Sequence, residues 1–290
     1  MSSQLTAHTS SSEEEQADGL QTAAALLVSL PPAPSVPGGD TEESKEDRDW
    51  SDEIEHGEED DDIFNDLLEA VDDIDIAHVQ FCLDQLSPTK RRRVVNATDP
   101  DSFTLLMNAA TFGDPKAVEM VRILLAAKSD VNYTADDGST ALDCCVQDNL
   151  HATVELLLAQ PDIDVNSGRC STIFLASQNG HSETVKKLLA AKARVDRRSY
   201  NGVTPLLTAI MNKFPDVVEL LLQGKAQPNF PNASLKGFTP LIVAIDKKNL
   251  TAAKLLLKYK ADPEQKVTIL TGVGSHKMMR VEYPVLFAAR

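Results

Sequence analysis

The sequence predicts an all-α solenoid of stacked helix pairs, with β-hairpin or turn fingers between the pairs and a disordered acidic tail in front. Three observations predict it. A ten-residue segment recurs at Thr104, Thr140, Ser171, Thr204 and Thr239, with gaps of 36, 31, 33 and 35 residues. Each copy leads into a leucine-rich stretch: VRILLAA, VELLLAQ, VKKLLAA, VVELLLQ and AAKLLLK. The composition also changes near residue 60, from Ser, Glu, Asp, Pro and Gly to a texture rich in Leu, Val and Ala. A period of this length marks units that bury their apolar face only against their neighbours.

Residues 1–60 form the expected tail. They hold few large apolar residues, so burial cannot offset the entropy of ordering them. Pro31, Pro32, Pro34 and Pro37 block a long helix. Leu20–Leu30 carries apolar residues at helical spacing. It reads either as a partner-docking helix or nuclear export signal, or as a transient helix within the tail. Residues 1–62 contain 18 acidic and 2 basic residues, a net −16, which equals the net charge of the whole chain. Residues 63–165 stand at −11 and residues 166–290 at +11. The remainder is thus neutral in sum but polarised along its length.

Residues 61–103 read as an N-terminal capping helix pair, built on LLEAVDD from Leu67 and VQFCLDQ from Val79. Polar Asp and Glu facing solvent suit a terminal unit. Lys90, Arg91, Arg92 and Arg93 follow Ser87-Pro88 and match a short nuclear-import signal; the other reading is a solvated loop of the capping pair. Residues 104–264 hold the five repeats. In each, the threonine (serine at Ser171) is expected to cap the first helix, and Pro205 and Pro240 to occupy its first turn. Ala109, Ala110, Ala176, Ala209 and Ala244 allow close approach of neighbouring units. Gly113, Asn149 and Gly180 fit a left-handed turn between the helices, whereas Lys213 and Lys248 at the same place imply mild strain. Residues 265–290 read as a hairpin insertion, with β-prone ends around a Gly-rich centre, then an incomplete last repeat from Tyr283. The uncovered Val285, Leu286 and Phe287 suggest a fragment of a longer chain or an incomplete cap.

These units resemble the ankyrin repeat. Thr204-Pro205-Leu206, Thr239-Pro240-Leu241, Gly180-His181 and Asp137-Gly138 match its motifs as they stand. The resemblance covers about 61–290 and implies a concave protein-binding surface made of fingers and first helices. On that surface the expected contact residues are Phe112, Gln178, Asn179, Arg198, Tyr200, Asn201, Met211, Asn212, Phe238 and Lys247; aromatic residues and arginine dominate interface energetics. The resemblance also implies Asn132 and Asn166 as hydroxylation sites, since asparaginyl hydroxylases modify that position of the repeat.

Enzymatic chemistry has no support in these residues. The histidines sit in no CxxC, HxxxH or HExxH pattern, so no metal is expected. Gly272 and Gly274 lack the rest of a phosphate-binding motif, and no nucleophile has a base at a recognisable spacing, so no cofactor is expected either. Cys82, Cys144, Cys145 and Cys170 form no disulfide framework and read as reduced thiols of a cytoplasmic or nuclear protein. The longest apolar run, Ala23–Val28, is far short of a membrane span, and no secretory signal precedes it. The expected activity is that of a monomeric, non-catalytic scaffold or adaptor. Its partner is a protein, acidic if it meets the basic late half, where the chain's own tail would compete; nucleic acid ranks last for want of a groove-reading motif. The competing class is the substrate-recognition part of a larger enzyme, a ubiquitin ligase or kinase, with its catalytic domain beyond Arg290.

Overall fold

The computed structural model describes residues 58–168, 171–199, 201–232, 237–265, 267–271 and 278–282. The Leu20–Leu30 segment, Tyr200, Cys170 and the half-repeat from Tyr283 lie outside the described residues. So does the tail up to residue 57.

The first helix, α1 (Glu58–Asp72), is followed by α2 (Ile76–Gln85) and α3 (Pro88–Val95). It starts three residues inside the segment expected as tail. Asp60, buried, pairs with Lys90 at 3.2 Å and with Arg93, so the first turn of α1 is tied to α3. The KRRR run is therefore helical, which corrects the loop reading. Ser87 caps α3 by accepting from the Lys90 N–H, and Pro88 stands in its first turn. Arg91 donates to the carbonyls of Leu83 and Leu86, while Arg92 and Arg93 are exposed.

Helix pairs then follow in order: α4 (Leu105–Ala109) with α5 (Pro115–Ala126), α6 (Ala141–Gln147) with α7 (His151–Leu158), α8 (Thr172–Asn179) with α9 (Ser182–Ala190), α10 (Pro205–Met211) with α11 (Pro215–Gln223), and α12 (Pro240–Asp246) with α13 (Leu250–Lys258). First helices pack on first helices in the sequence α1, α4, α6, α8, α10, α12, and second helices on second helices from α2 to α13. The shared core is one continuous cluster in which Leu106, Leu124, Leu142, Leu157, Ile173, Leu188, Leu206, Leu221, Val243 and Leu256 are nearly inaccessible. The small residues Ala109, Ala110, Ala176, Ala209 and Ala244 lie at the contacts between first helices, fully buried. Each unit thus completes its neighbour's core.

Local chemistry sets the helix ends. Thr104, Thr140, Thr204 and Thr239 each accept a hydrogen bond from the N–H three residues on. Ser171 does not; the turn before it is short, and a 2.7 Å backbone bond from Phe174 N–H to the Ser171 carbonyl tightens the start of α8. Between paired helices the chain turns through a left-handed residue: Asn149, Gly180, Lys213 or Lys248. The amide after it donates five residues back, as from His181 to Ala176. Gly113 is not left-handed. Here the extra residues let Asp114 cap α5 by accepting from the Lys116 N–H at 2.7 Å, which replaces the tight turn. The second helices α5, α9, α11 and α13 end the same way, with Lys128, Lys192, Lys225 and Lys260 at φ between 65° and 73°. After the last pair, β1 (Val267–Thr271) and β2 (Met278–Glu282) form an antiparallel hairpin with Val267 opposite Glu282 and Thr271 opposite Met278. No described helix is long and apolar enough to cross a membrane.

Candidate protein-binding surface

Fingers project between consecutive pairs. In the first, Thr98 bridges Thr104, and Asp99 holds the turn by accepting from the N–H groups of Asp101 and Phe103 and from the Asn108 amide. In the second, the Ala135 N–H donates to Ser139 and Asp137 accepts from the Ser139 amide and hydroxyl. Later fingers close through Ser199 with Val203 and Asn232 with Phe238. An open groove of about 400 Å³ lies between the first two fingers, lined by Asp99, Asp101, Phe103, Asn108 and Asp137. Three carboxylates and one aromatic ring line it, and two of the carboxylates, those of Asp99 and Asp137, already accept hydrogen bonds within their fingers.

Further along the stack the surface changes sign. Arg198 is exposed, and its guanidinium lies 4.3 Å from the centroid of the Phe230 ring. Lys247 is exposed beside Asp246, and Asn201 is exposed at the finger tip. Phe112, Met211 and Phe238 are half-buried and pack on the core, so each offers only part of its surface to a partner. Gln178 is half-buried. Asn179 and Asn212, expected as contact residues, are bridges between repeats: they donate to the carbonyls of Gln147 and Gln178, at 3.2 and 2.8 Å. Their side chains are exposed but already committed.

A second row of bridges runs along the turns after the second helices. Asn132 accepts from the Asp164 N–H and donates to the Asp162 carbonyl, and Asn166 accepts from the Arg194 N–H. Asn96 and Asn229 do the same to the turns at Lys128–Asp130 and Lys260–Asp262. Both proposed hydroxylation positions therefore carry structure. The recurrence of Asn at these turns was visible in the sequence, but its reach into the next repeat appears only once the repeats are stacked.

One buried and one half-buried group tie the middle of the surface together. Asp143, at the start of α6, accepts from the Thr140 amide and hydroxyl and from the Thr172 hydroxyl of the next repeat at 2.7 Å. Burial pushes its carboxyl up to about 6. Arg197 donates to the carbonyls of Asn166 and Gly168 and so pins the short third turn. The Cys144 thiol is pushed up to about 12, mainly by burial, and Cys145 well above its usual range by the same cause. His181 Nδ1 donates to the Val146 carbonyl at 3.2 Å, and burial lowers its pKa.

No metal-ligand spacing was found in the sequence, yet the fold brings Asp66, His78 and Cys82 together on the capping pair. The missed signal is the four-residue step from His78 to Cys82; the third donor arrives from another helix.

The chain is similar to known repeat proteins. Residues 65–168 and 173–267 match the family model described as ankyrin repeats (3 copies). Over 143 residues, 48% of the chain, it is 29% identical to the nuclear factor NF-kappa-B p105 subunit of Gallus gallus, but it spans only 14% of that protein's length. Among solved structures it superposes on the ankyrin repeat domain of Bcl-3 with a TM-score of 0.64 and 22% identity, covering 77% of this chain and 93% of that one. It also superposes on a chain from the complex of a predatory endopeptidase with an immunity protein from Bdellovibrio bacteriovorus, with a TM-score of 0.56 and 27% identity, over 67% of this chain and 98% of that one. The family match covers well over half the chain and coincides with the stacked helix pairs, so the chain belongs to the ankyrin-repeat family.

Proposed function

We propose that this chain is a non-catalytic scaffold that binds a protein partner of mixed charge along its fingers and first helices. Ankyrin repeats are protein–protein interaction modules. The observation that carries the finer reading is the change of sign along the surface. The groove of Asp99, Asp101 and Asp137 suits a basic segment, and the region of Arg198 and Lys247 suits an acidic one. A partner carrying both would be held in one direction only. The acidic tail ahead of α1, at −11 for residues 1–57 against +11 for residues 166–290, would compete for the late, basic zone as a tethered ligand. The setting we propose is cytoplasmic or nuclear, with Lys90–Arg93 reading as an import signal only when Asp60 releases it.

The test is affinity capture with the full chain, compared with Asp101→Lys/Asp137→Lys and with Arg198→Glu/Lys247→Glu, each shown by circular dichroism to be folded. The proposal expects each pair to lose bound partners, and the reading fails if all three proteins bind the same partners equally well. A synthetic peptide of residues 1–57 should bind the repeats at low salt and leave at moderate salt. Absence of binding at low salt removes the competing role of the tail.

A further inference from the structure

His78 and Cys82 stand four residues apart on α2, so their side chains share one face of the helix. The tight turn after α1 lays α2 against α1 and brings Asp66 opposite that face. The donor atoms then form a triangle. His78 Nε2 is 3.0 Å from Asp66 Oδ2, Cys82 Sγ is 3.3 Å from the same oxygen, and Cys82 Sγ is 3.5 Å from His78 Nε2. An ion held tetrahedrally, with bonds of about 2.0 Å to nitrogen and oxygen and about 2.3 Å to sulfur, separates its ligands by about 3.3–3.6 Å. The triangle matches one face of that tetrahedron to within a few tenths of an ångström.

We propose that Asp66, His78 and Cys82 bind zinc, with the fourth coordination position open to solvent. The donor set selects the ion. Magnesium and calcium take oxygen ligands, whereas imidazole with a thiolate favours a borderline-soft divalent ion. Access is open, because the side chains of His78 and Asp66 are 42% and 53% exposed. On binding, the Cys82 thiol gives its proton to solvent and the thiolate takes the metal; the carboxylate and the neutral imidazole bind through lone pairs. The hydrogen bonds now joining the three groups are replaced by bonds to the ion. Since the ligands come from both helices of the capping pair, zinc would clamp α1 to α2 at the outer end of the stack.

Cobalt(II) titrated into the reduced full chain is the direct probe. One equivalent should produce a thiolate-to-cobalt charge-transfer band with the visible bands of tetrahedral cobalt, and zinc should displace them. Cys82→Ser should abolish the charge-transfer band, and His78→Gln and Asp66→Asn should each weaken zinc binding by at least about tenfold. Zinc should also raise the melting temperature of the wild type and not that of Cys82→Ser. The proposal is overturned if no charge-transfer band forms, or if the band survives Cys82→Ser and so belongs to another cysteine. It is equally overturned if zinc shifts the melting of wild type and variants alike. A triad that serves only as a hydrogen-bonded staple would give the first of these outcomes, with the variants destabilised in the absence of metal.

Discussion

Asn132 holds the next repeat by two opposed hydrogen bonds: its Oδ1 accepts from the Asp164 N–H at 2.8 Å and its Nδ2 donates to the Asp162 carbonyl at 2.7 Å. Both partners are backbone groups of the turn that follows α7. Asn132→Ala should therefore cost about 2 kcal/mol, about 1 kcal/mol for each bond, read as a shift of the urea midpoint at unchanged slope. Asn132→Asp should cost about half as much, since it keeps the acceptor and loses the donor. Asp196 already works in that reduced form, accepting from the Gln227 N–H at 3.1 Å. Hydroxylation of Asn132 or Asn166 has to compete with these bonds. Co-expression with an asparaginyl hydroxylase should add one oxygen to each, and faster in a destabilised stack than in the wild type; mass spectrometry of the peptides decides.

Gly180 answers to Phe214 in the following repeat. Its φ is +76°, and a Cβ built on it would come within 2.6 to 2.9 Å of the Phe214 ring. Gly180→Ala therefore meets both a strained backbone and a ring that fills the space. The expected loss is at least about 2 kcal/mol. Gly180→Ala/Phe214→Leu should recover part of it, which separates the steric cost from the conformational one.

The left-handed lysines offer the opposite effect. Lys128, Lys192, Lys225 and Lys260 occupy a conformation that glycine adopts without penalty. Each Lys→Gly change should stabilise the chain by about 0.5–1 kcal/mol, the left-handed penalty less the larger entropy that glycine loses on folding, and the four sites, one or two repeats apart, should add. Chemical denaturation of the single and quadruple variants measures this. Lys→Ala at the same sites should give no comparable gain.

Asp143 makes stability depend on pH in an unusual sense. Its carboxyl is raised from 3.8 to about 6 in the fold, chiefly by burial. The folded chain therefore holds this proton more tightly than the unfolded chain. The contribution is fully present below about pH 4 and is lost as the pH rises through about 6. Relative to Asp143→Asn, which does not titrate, the wild type should gain about 1 kcal/mol on going from pH 7 to pH 5. Parallel melts of the two proteins at both pH values test the sign.

The repeat, its caps and its small-residue contacts were legible because they are local: a threonine before a helix, a proline in its first turn, an alanine where backbones approach. What escaped was long-range. Ser87-Pro88 is a helix start of the same kind as Thr204-Pro205, but the four consecutive bases that follow it are also the composition of an import signal, and the two readings share the same residues. The pairing of Lys90 and Arg93 with Asp60 spans some thirty residues, and nothing at either end marks the other. Asn179 and Asn212 stand at positions that face a partner in the repeat pattern; only the stacking shows the neighbouring carbonyls they serve. Asp66 joins His78 and Cys82 through the turn between two helices, a geometry that no linear spacing encodes.

The inter-repeat bonds also give the stack an arrow. Asn96, Asn132, Asn166 and Asn229 reach toward the following repeat, while Asn179, Asn212 and Asn249 reach toward the preceding one. A cut at any boundary therefore leaves two faces that complement each other and not themselves. Two copies of the same cut face cannot satisfy one another across a twofold axis. Unlike faces can, and their union does not close. Fragments of this protein, or chains that open at a boundary, should accordingly join in series as head-to-tail filaments rather than as symmetric dimers.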